Sequence, residues 1–429
     1  AVGYDDNAAW EKELSAGPYR LEFFAREWAF LRAWVHSGFW LDPKAPLVLS
    51  MGLSPTGERL IHVQLKDGLL KASVSLDPES HLPLSLEVPS GGGVLIVEYS
   101  AYEKIGKVQL AHFVRTTLSP GRELHWELFE VTGVDEISRD AFQAPPRTLD
   151  TEFDANMDAT VEILRSSSKH LYVRPLINGE EVGLFVFDTG AGFTGINPAV
   201  AQELGLESFG KNSVTGLGGE ETFSTMSKLD TFQLGPITIR DLVVTQSGRS
   251  IRRYVDGERV VGVIGWDLLI RSILDFSPRE GGLSIFDPAT HELPDAQWTA
   301  LNLHYQVPYA RVSFEGDRDG LFMVDTGAAG FTLYFFADVV RRMGFLDEKE
   351  EGSTVESQGA GGSFSSTVSL LEWVRLPIGA PYKDVPCVFG LGDDGETDPY
   401  SLGLLGGGLL RNYRLVMDYS RYQMAFLPH

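Results

Sequence analysis

The chain has 429 residues, too many for one ordinary core, so about two to four domains are expected. Its composition, 43% hydrophobic and 22% charged, is that of a globular protein rather than a disordered one, and a net charge of -23 argues against nucleic acid and anionic membrane surfaces as partners. The single cysteine, Cys387, excludes an internal disulfide framework and a thiolate zinc site, and no apolar run is long enough to span a bilayer.

The chain begins at Ala1 with no initiator Met and no signal-like apolar segment, so it reads as a mature or trimmed chain from which any targeting peptide is gone. Residues 1–39 read as helical: "LEFFAREWAFLRAWVHSGFW" sets Phe24, Trp28, Leu31 and Trp34 at three- and four-residue steps. From "RLIHVQL" through "LKASVSL", "LPLSLEV", "GGVLIVEYSAYE", "KVQLAHFVRTT" and "ELHWELFEVTGV" short alternating segments are separated by turn residues, which predicts an antiparallel meander. His112 and His125 fall in those strands and read as structural. "AFQAPPRTLD" favours extended chain and predicts a linker over 141–155.

A repeat follows. One copy contains "LFVFDTGAGFTGINP", "VTGLGGEETFS", "VVGVIGWDLL" and "ILDFSPREGGLSIFDP"; the other contains "LFMVDTGAAGFTLYF", "SQGAGGSFSS", "GLLGGGLL" and "RLVMDYSRYQMAFLP". Blocks recurring in the same order predict an internal duplication, with lobes over 156–290 and 297–429 behind an accessory domain over 1–150.

Asp188 and Asp325 each follow an apolar strand-like run and precede Thr-Gly, whose glycine permits a tight turn. A single Asp-x-Gly reads equally well as a turn in which Asp caps its own backbone. Two copies suggest carboxylates facing each other across a pseudo-two-fold axis. At close range both cannot ionise, so the pair shares one proton, one group serving as base toward water and the other as acid toward a carbonyl oxygen.

"FDTGA" and "VDTGA", each followed by an apolar-apolar-Gly block (Val263, Ile264, Gly265 and Leu404, Leu405, Gly406), resemble retropepsin-type aspartic proteases, particularly bacterial members with this Asp-Thr-Gly-Ala signature. The resemblance covers about residues 160–429. It implies a mainly β fold with two tandem lobes joined as in the bilobal pepsins, behind an α+β accessory domain. It further implies Asp188 and Asp325 as a dyad hydrolysing peptide bonds through water, with no cofactor and no metal. Gly190 and Gly327 would complete the turns, Thr189 and Thr326 would form a hydroxyl-to-backbone grip between lobes, and Gly265 and Gly406 would underlie the turns. The Gly-rich stretches, Gly216, Gly218 and Gly219 in one copy and Gly359, Gly361 and Gly362 in the other, fall where that family places flap hairpins; an ordinary hairpin turn is the alternative. Ala191 and Ala328 lack the hydroxyl that pepsins place after the Gly, which predicts activity at milder acidity.

Ahead of the apolar-Gly blocks, "RSIRRYVDGER" and "GDDGETDPY" carry opposite charge, read either as solvated loops or as a device that orients a charged peptide through Arg252 and Arg253. The nine histidines show no metal spacing, and no Gly-x-Ser-x-Gly elbow or phosphate loop appears. The segment "YSAYEKIGKVQLAHFVRTT" to "AFQAPP" resembles the closing strands of lipoprotein-carrier-like sheet domains of the bacterial envelope, with Ala111 where that pattern has Pro and the first strands missing. That resemblance implies a recruiting role and a periplasmic or secreted setting. The partner expected is a peptide or protein substrate, and the state expected is a monomer containing a pseudo-dimer. Two rivals remain: an inactive peptide- or lipoprotein-binding module on the same fold, and an obligate homodimer with dyads formed between chains.

Overall fold

The computed structural model describes every residue except 1, 5–7, 55, 56, 58, 91, 92, 107, 120, 121, 132–137, 146–149, 166–168, 215, 219–221, 248–253, 278–281, 347–353, 360, 393, 395–398 and 429. The chain is mainly β and divides into two compact units. The first comprises Ala1–Lys12, Pro18–Pro145 and Thr397–Tyr400; the second comprises Glu13–Gly17, Pro146–Glu396 and Ser401–His429.

In the first unit, helix Phe23–His36 buries a stripe of Phe24, Trp28, Leu31 and Val35 against the sheet. Each such side chain contributes about 1.5–3 kcal/mol by leaving water. The stripe runs through Val35 rather than Trp34, and the helix is confined to one stretch: residues 2–4, 9–13 and 17–21 are strands of a small sheet, not helix. Gly17 and Pro18 break any helix there, and Tyr19 and Leu21 bury one face of an extended segment while Arg20 between them is exposed. The meander has seven strands, each antiparallel to the next, from Leu47–Leu53 to Arg122–Glu127. The first of these, Leu47–Leu53, lies ahead of the predicted meander: "LVLSMGL" carries apolar residues at successive positions, most of them exposed, and so shows no clear alternation. Glu27 is buried on the helix, where its carboxylate accepts from the Leu70 N–H at 2.8 Å and the Leu69 N–H at 3.2 Å. His112 and His125 lie in strands, and His112 Nδ1 sits 3.0 Å from the Leu128 carbonyl oxygen.

The second unit is built on one pairing pattern that occurs twice. Strand Leu184–Phe187 runs parallel to Glu258–Ile264, which in turn pairs antiparallel with Gly195–Ile196. Strand Arg318–Val324 runs parallel to Ser401–Leu405, which pairs antiparallel with Leu333–Phe335. A six-stranded sheet takes strands from both halves, joined where Ile273–Ser277 pairs antiparallel with Tyr413–Asp418. The residues expected as linker are partly a strand, since Thr151–Phe153 pairs antiparallel with the strand Ile237–Gln246. Arg271, with a side chain 3% exposed, binds this region together: its Nε donates to Asp150 Oδ1 at 3.0 Å and its Nη1 to the Asp267 carbonyl at 2.6 Å. No helix among the described residues is long and apolar enough to cross a membrane.

Candidate active site

Each Asp-Thr-Gly turn starts where a parallel strand ends. The Asp188 N–H donates to the Ile264 carbonyl at 3.0 Å, and the Asp325 N–H donates to the Leu405 carbonyl at 3.0 Å. The adjoining strand of each half thereby fixes the backbone that carries the carboxylate. Gly265 and Gly406 lie under the turns: a Cβ would come within 2.3 Å of the Ala191 oxygen in one and 2.5 Å of the Ala328 oxygen in the other. Only glycine leaves the turn undisplaced.

The two turns meet through their threonines. The Thr189 N–H donates to Thr326 Oγ1 at 3.0 Å, and the Thr326 N–H donates to Thr189 Oγ1 at 3.1 Å. The hydroxyls then donate across, Thr189 to the Val324 carbonyl at 2.6 Å and Thr326 to the Phe187 carbonyl at 3.1 Å. Both threonines are buried, so an unmade bond here would cost about 1–3 kcal/mol.

This closure sets the carboxylates side by side. A Cβ on Gly190 would come within 2.7 Å of Asp325 Cγ, and a Cβ on Gly327 within 2.5 Å of Asp188 Oδ2. Space for the opposite carboxylate is therefore what these glycines supply. The backbone freedom expected from sequence is not used, because neither residue has a left-handed φ.

The Gly190 N–H donates to Asp188 Oδ1 at 2.8 Å, the Ala328 N–H donates to Asp325 Oδ1 at 3.0 Å, and the two side chains are hydrogen-bonded to each other. Both carboxyls are half-buried, crowded by protein yet still accessible. Loss of solvation raises the Asp188 carboxyl above its ordinary value, opposed by the Gly190 N–H and the bond to Asp325. The Asp325 carboxyl is raised well above its ordinary value, first by loss of solvation and then by the neighbouring Asp188 charge. A pair of this kind can hold one proton on Asp325 while Asp188 is an anion.

Sequence reasoning missed two nearby residues. His170 lies close enough for its charge to oppose the rise at Asp188; it precedes the strand Leu171–Val173, which pairs with the Asp188 strand, and no local pattern marks it. Asp267 is fully buried and accepts a short hydrogen bond from the Thr194 N–H, and burial raises its carboxyl above the ordinary value. Its place two residues after Gly265 is the only hint the sequence offers.

The Gly-rich stretches are hairpin tips. Phe209–Val214 pairs with Thr222–Leu234, closing at Val214 opposite Thr222, with Gly216 and Gly218 in the tip; Gly219 lies outside the described residues. Thr354–Gly359 pairs with Gly362–Arg375, closing at Gly359 opposite Gly362 around Gly361. The tips touch: the Gly361 N–H donates to the Leu217 carbonyl at 2.7 Å, and a Cβ on Gly359 would come within 2.3 Å of that same oxygen.

Of the two charged loops, only part of the second can be compared with the expectation. Arg252 and Arg253 lie outside the described residues. In the other loop Asp394 is not a solvated charge: it is 1% exposed, and its Oδ2 accepts from the Tyr334 hydroxyl at 2.8 Å and the Ala337 N–H at 2.7 Å. Among the described residues no group of three or more His, Cys, Asp or Glu is placed to hold a metal.

A family model described as aspartyl protease matches residues 173–268. The matched stretch contains Asp188, Thr189, Gly190, Ile264 and Gly265; Asp325 lies beyond it. No curated protein matches the chain.

Proposed function

We propose that the chain is an aspartic endopeptidase, built as two tandem retropepsin-like lobes, whose dyad is Asp188 and Asp325. The observation that carries this reading is the reciprocal placement of the two carboxyls, each against the other's glycine and hydrogen-bonded to each other. Similarity to aspartyl proteases over residues 173–268 supports the same chemistry.

In the proposed mechanism the Asp188 carboxylate takes a proton from a water held between the two groups. The hydroxide so formed adds to the peptide carbonyl carbon while Asp325 gives its proton to the carbonyl oxygen, producing a gem-diol. Collapse of the gem-diol breaks the C–N bond, and the proton now on Asp188 passes to the leaving nitrogen. A gem-diol hydroxyl returns its proton to Asp325 as the carboxylic acid product forms. The Ala328 and Gly190 amides fix both carboxyls in place, so little reorganisation accompanies the step.

Under this reading the two glycine hairpins act as flaps that admit an extended peptide and close on it. The first unit serves as an accessory, recruiting domain, and the proposed setting, periplasmic or secreted, rests on that unit's resemblance to envelope sheet domains.

The test is digestion of a diverse peptide library from pH 3 to 8 by the parent chain, Asp188→Ala and Asp325→Ala. Cleavage by the parent with an optimum above about pH 3, abolished in either variant, is the expected result. A parent chain that cleaves nothing at any pH would leave a binding module on this fold.

A further inference from the structure

We propose that Asp394 is a positioning residue that holds the tip of the first hairpin, a role that deepens the peptidase reading and rests on it. The tip residues Leu217 and Gly218 are tied in two directions. The Leu217 carbonyl accepts from Gly361 of the second hairpin at 2.7 Å, while the Gly218 N–H donates to the Asp394 backbone carbonyl at 3.1 Å. Gly218 holds φ +103, and a Cβ there would come within 2.5 Å of the Gly362 nitrogen. No other residue type could adopt this turn and lie so close to the second tip.

A loop carbonyl makes a firm anchor only if the loop is itself fixed, and the Asp394 side chain does this. Its carboxylate turns inward, is 1% exposed, and accepts from the Tyr334 hydroxyl and from the Ala337 N–H. Ala337 is the first residue of helix Ala337–Met343, whose N-cap residue Phe336 offers no side-chain acceptor. Asp394 therefore satisfies an amide that would otherwise be unpaired, and the helix end favours the carboxylate in return. Gly390 clears the space: a Cβ there would come within 2.7 Å of Asp394 Oδ2 and 2.6 Å of the Tyr334 oxygen. Tyr334 is fully buried and belongs to strand Leu333–Phe335, which pairs with the strand beside Asp325. One buried carboxylate thus links the first hairpin tip to the framework of the Asp325 half.

The first hairpin tip thus has an anchor in the body of the unit, and the second tip is tied to the first. On the peptidase reading, Asp394 sets the position to which the first flap returns, and so governs how tightly a peptide is held rather than how fast it is hydrolysed once bound.

The experiment compares Asp394→Ala and Asp394→Asn with the parent chain by amide hydrogen exchange and by peptide kinetics. In Asp394→Ala, exchange across residues 214–223 should quicken by about ten-fold or more, with the Asp188 and Asp325 strands unchanged. KM should rise by about ten-fold with kcat within about three-fold of the parent. Asp394→Asn keeps an acceptor of the same size and should stay near the parent in both. Unchanged exchange over 214–223, with quicker exchange confined to helix Ala337–Met343, would reduce Asp394 to a helix cap and overturn the proposal. If the parent cleaves no peptide, the peptidase reading fails while the exchange arm still decides the anchor. Should Asp394→Ala not fold, Tyr334→Phe removes one of its donors and must shift exchange over 214–223 in the same direction.

Discussion

Behind the Asp188 turn stand Trp266 and Asp267; behind the Asp325 turn the corresponding positions are Gly407 and Gly408. In the first half the Asp267 carboxyl accepts the Thr194 N–H, whereas in the second the Gly408 N–H donates to the Phe331 carbonyl at 2.7 Å and a Cβ at Gly408 would come within 2.6 Å of that oxygen. Equivalent loops are thus held once by a side chain and once by backbone. Between the halves the same bonds are made in both directions: the amide-to-hydroxyl bonds of Thr189 and Thr326 are 3.0 and 3.1 Å, and each hydroxyl donates to a carbonyl of the opposite half. A shared proton requires both carboxyls at one spacing, while the supports behind them need only be rigid.

The equivalence at the centre can be broken directly. Gly190→Ala and Gly327→Ala each drive a methyl into the opposite carboxylate, and each should lower kcat/KM by about 100-fold or more. Activity retained in one variant but lost in the other would show that the halves are not equivalent where the reading needs them to be. Thr189→Val and Thr326→Val remove matching hydroxyls and should each cost about 2–3 kcal/mol in urea unfolding, because a buried amide loses its acceptor as well. A difference beyond about 1 kcal/mol between them would place the divergence at the grip itself.

The unequal proton affinities sharpen the comparison through pH. Because the Asp325 carboxyl lies above its ordinary value, the folded chain binds more protons than the unfolded chain between those two values. Its contribution is therefore fully present below the ordinary carboxyl range and is lost as pH rises through the folded value. Asp325→Asn removes that loss, so its Tm should exceed the parent's at pH 7, with the gap closing below the ordinary carboxyl range. The same change at Asp188, which is raised less, should give a smaller gap; equal gaps would mean that the proton is not held on Asp325.

The smallest effect is expected where the halves already differ. A Cβ on Gly192 would lie 3.2 Å from the Tyr305 oxygen and 3.3 Å from Gln306 Oε1, whereas one on Gly330 meets nothing within 4 Å. Gly192→Ala should cost about 1 kcal/mol of stability and Gly330→Ala less than about 0.5 kcal/mol, read by denaturant unfolding.

What the chain order alone determined is local. The Asp-Thr-Gly turns, the apolar strands that deliver them, the apolar-Gly blocks and the glycine hairpins were legible because each lies within a short stretch whose residue types have direct backbone consequences. The strands up to Leu21 and at Leu47–Leu53 were not legible, since such brief extended segments leave little periodic signal. Tertiary structure decided everything that depends on groups remote in sequence. Gly190 and Gly327 looked like turn residues and proved to be clearances for the opposite carboxylates. Asp394 sat in a run of charges that reads as solvated, yet its side chain turns inward because Tyr334 and Ala337 offer hydrogen bonds that compensate its burial. Proton affinity belongs to the same class, because it is set by the solvation and charge that folding brings to Asp188 and Asp325 from groups remote in sequence.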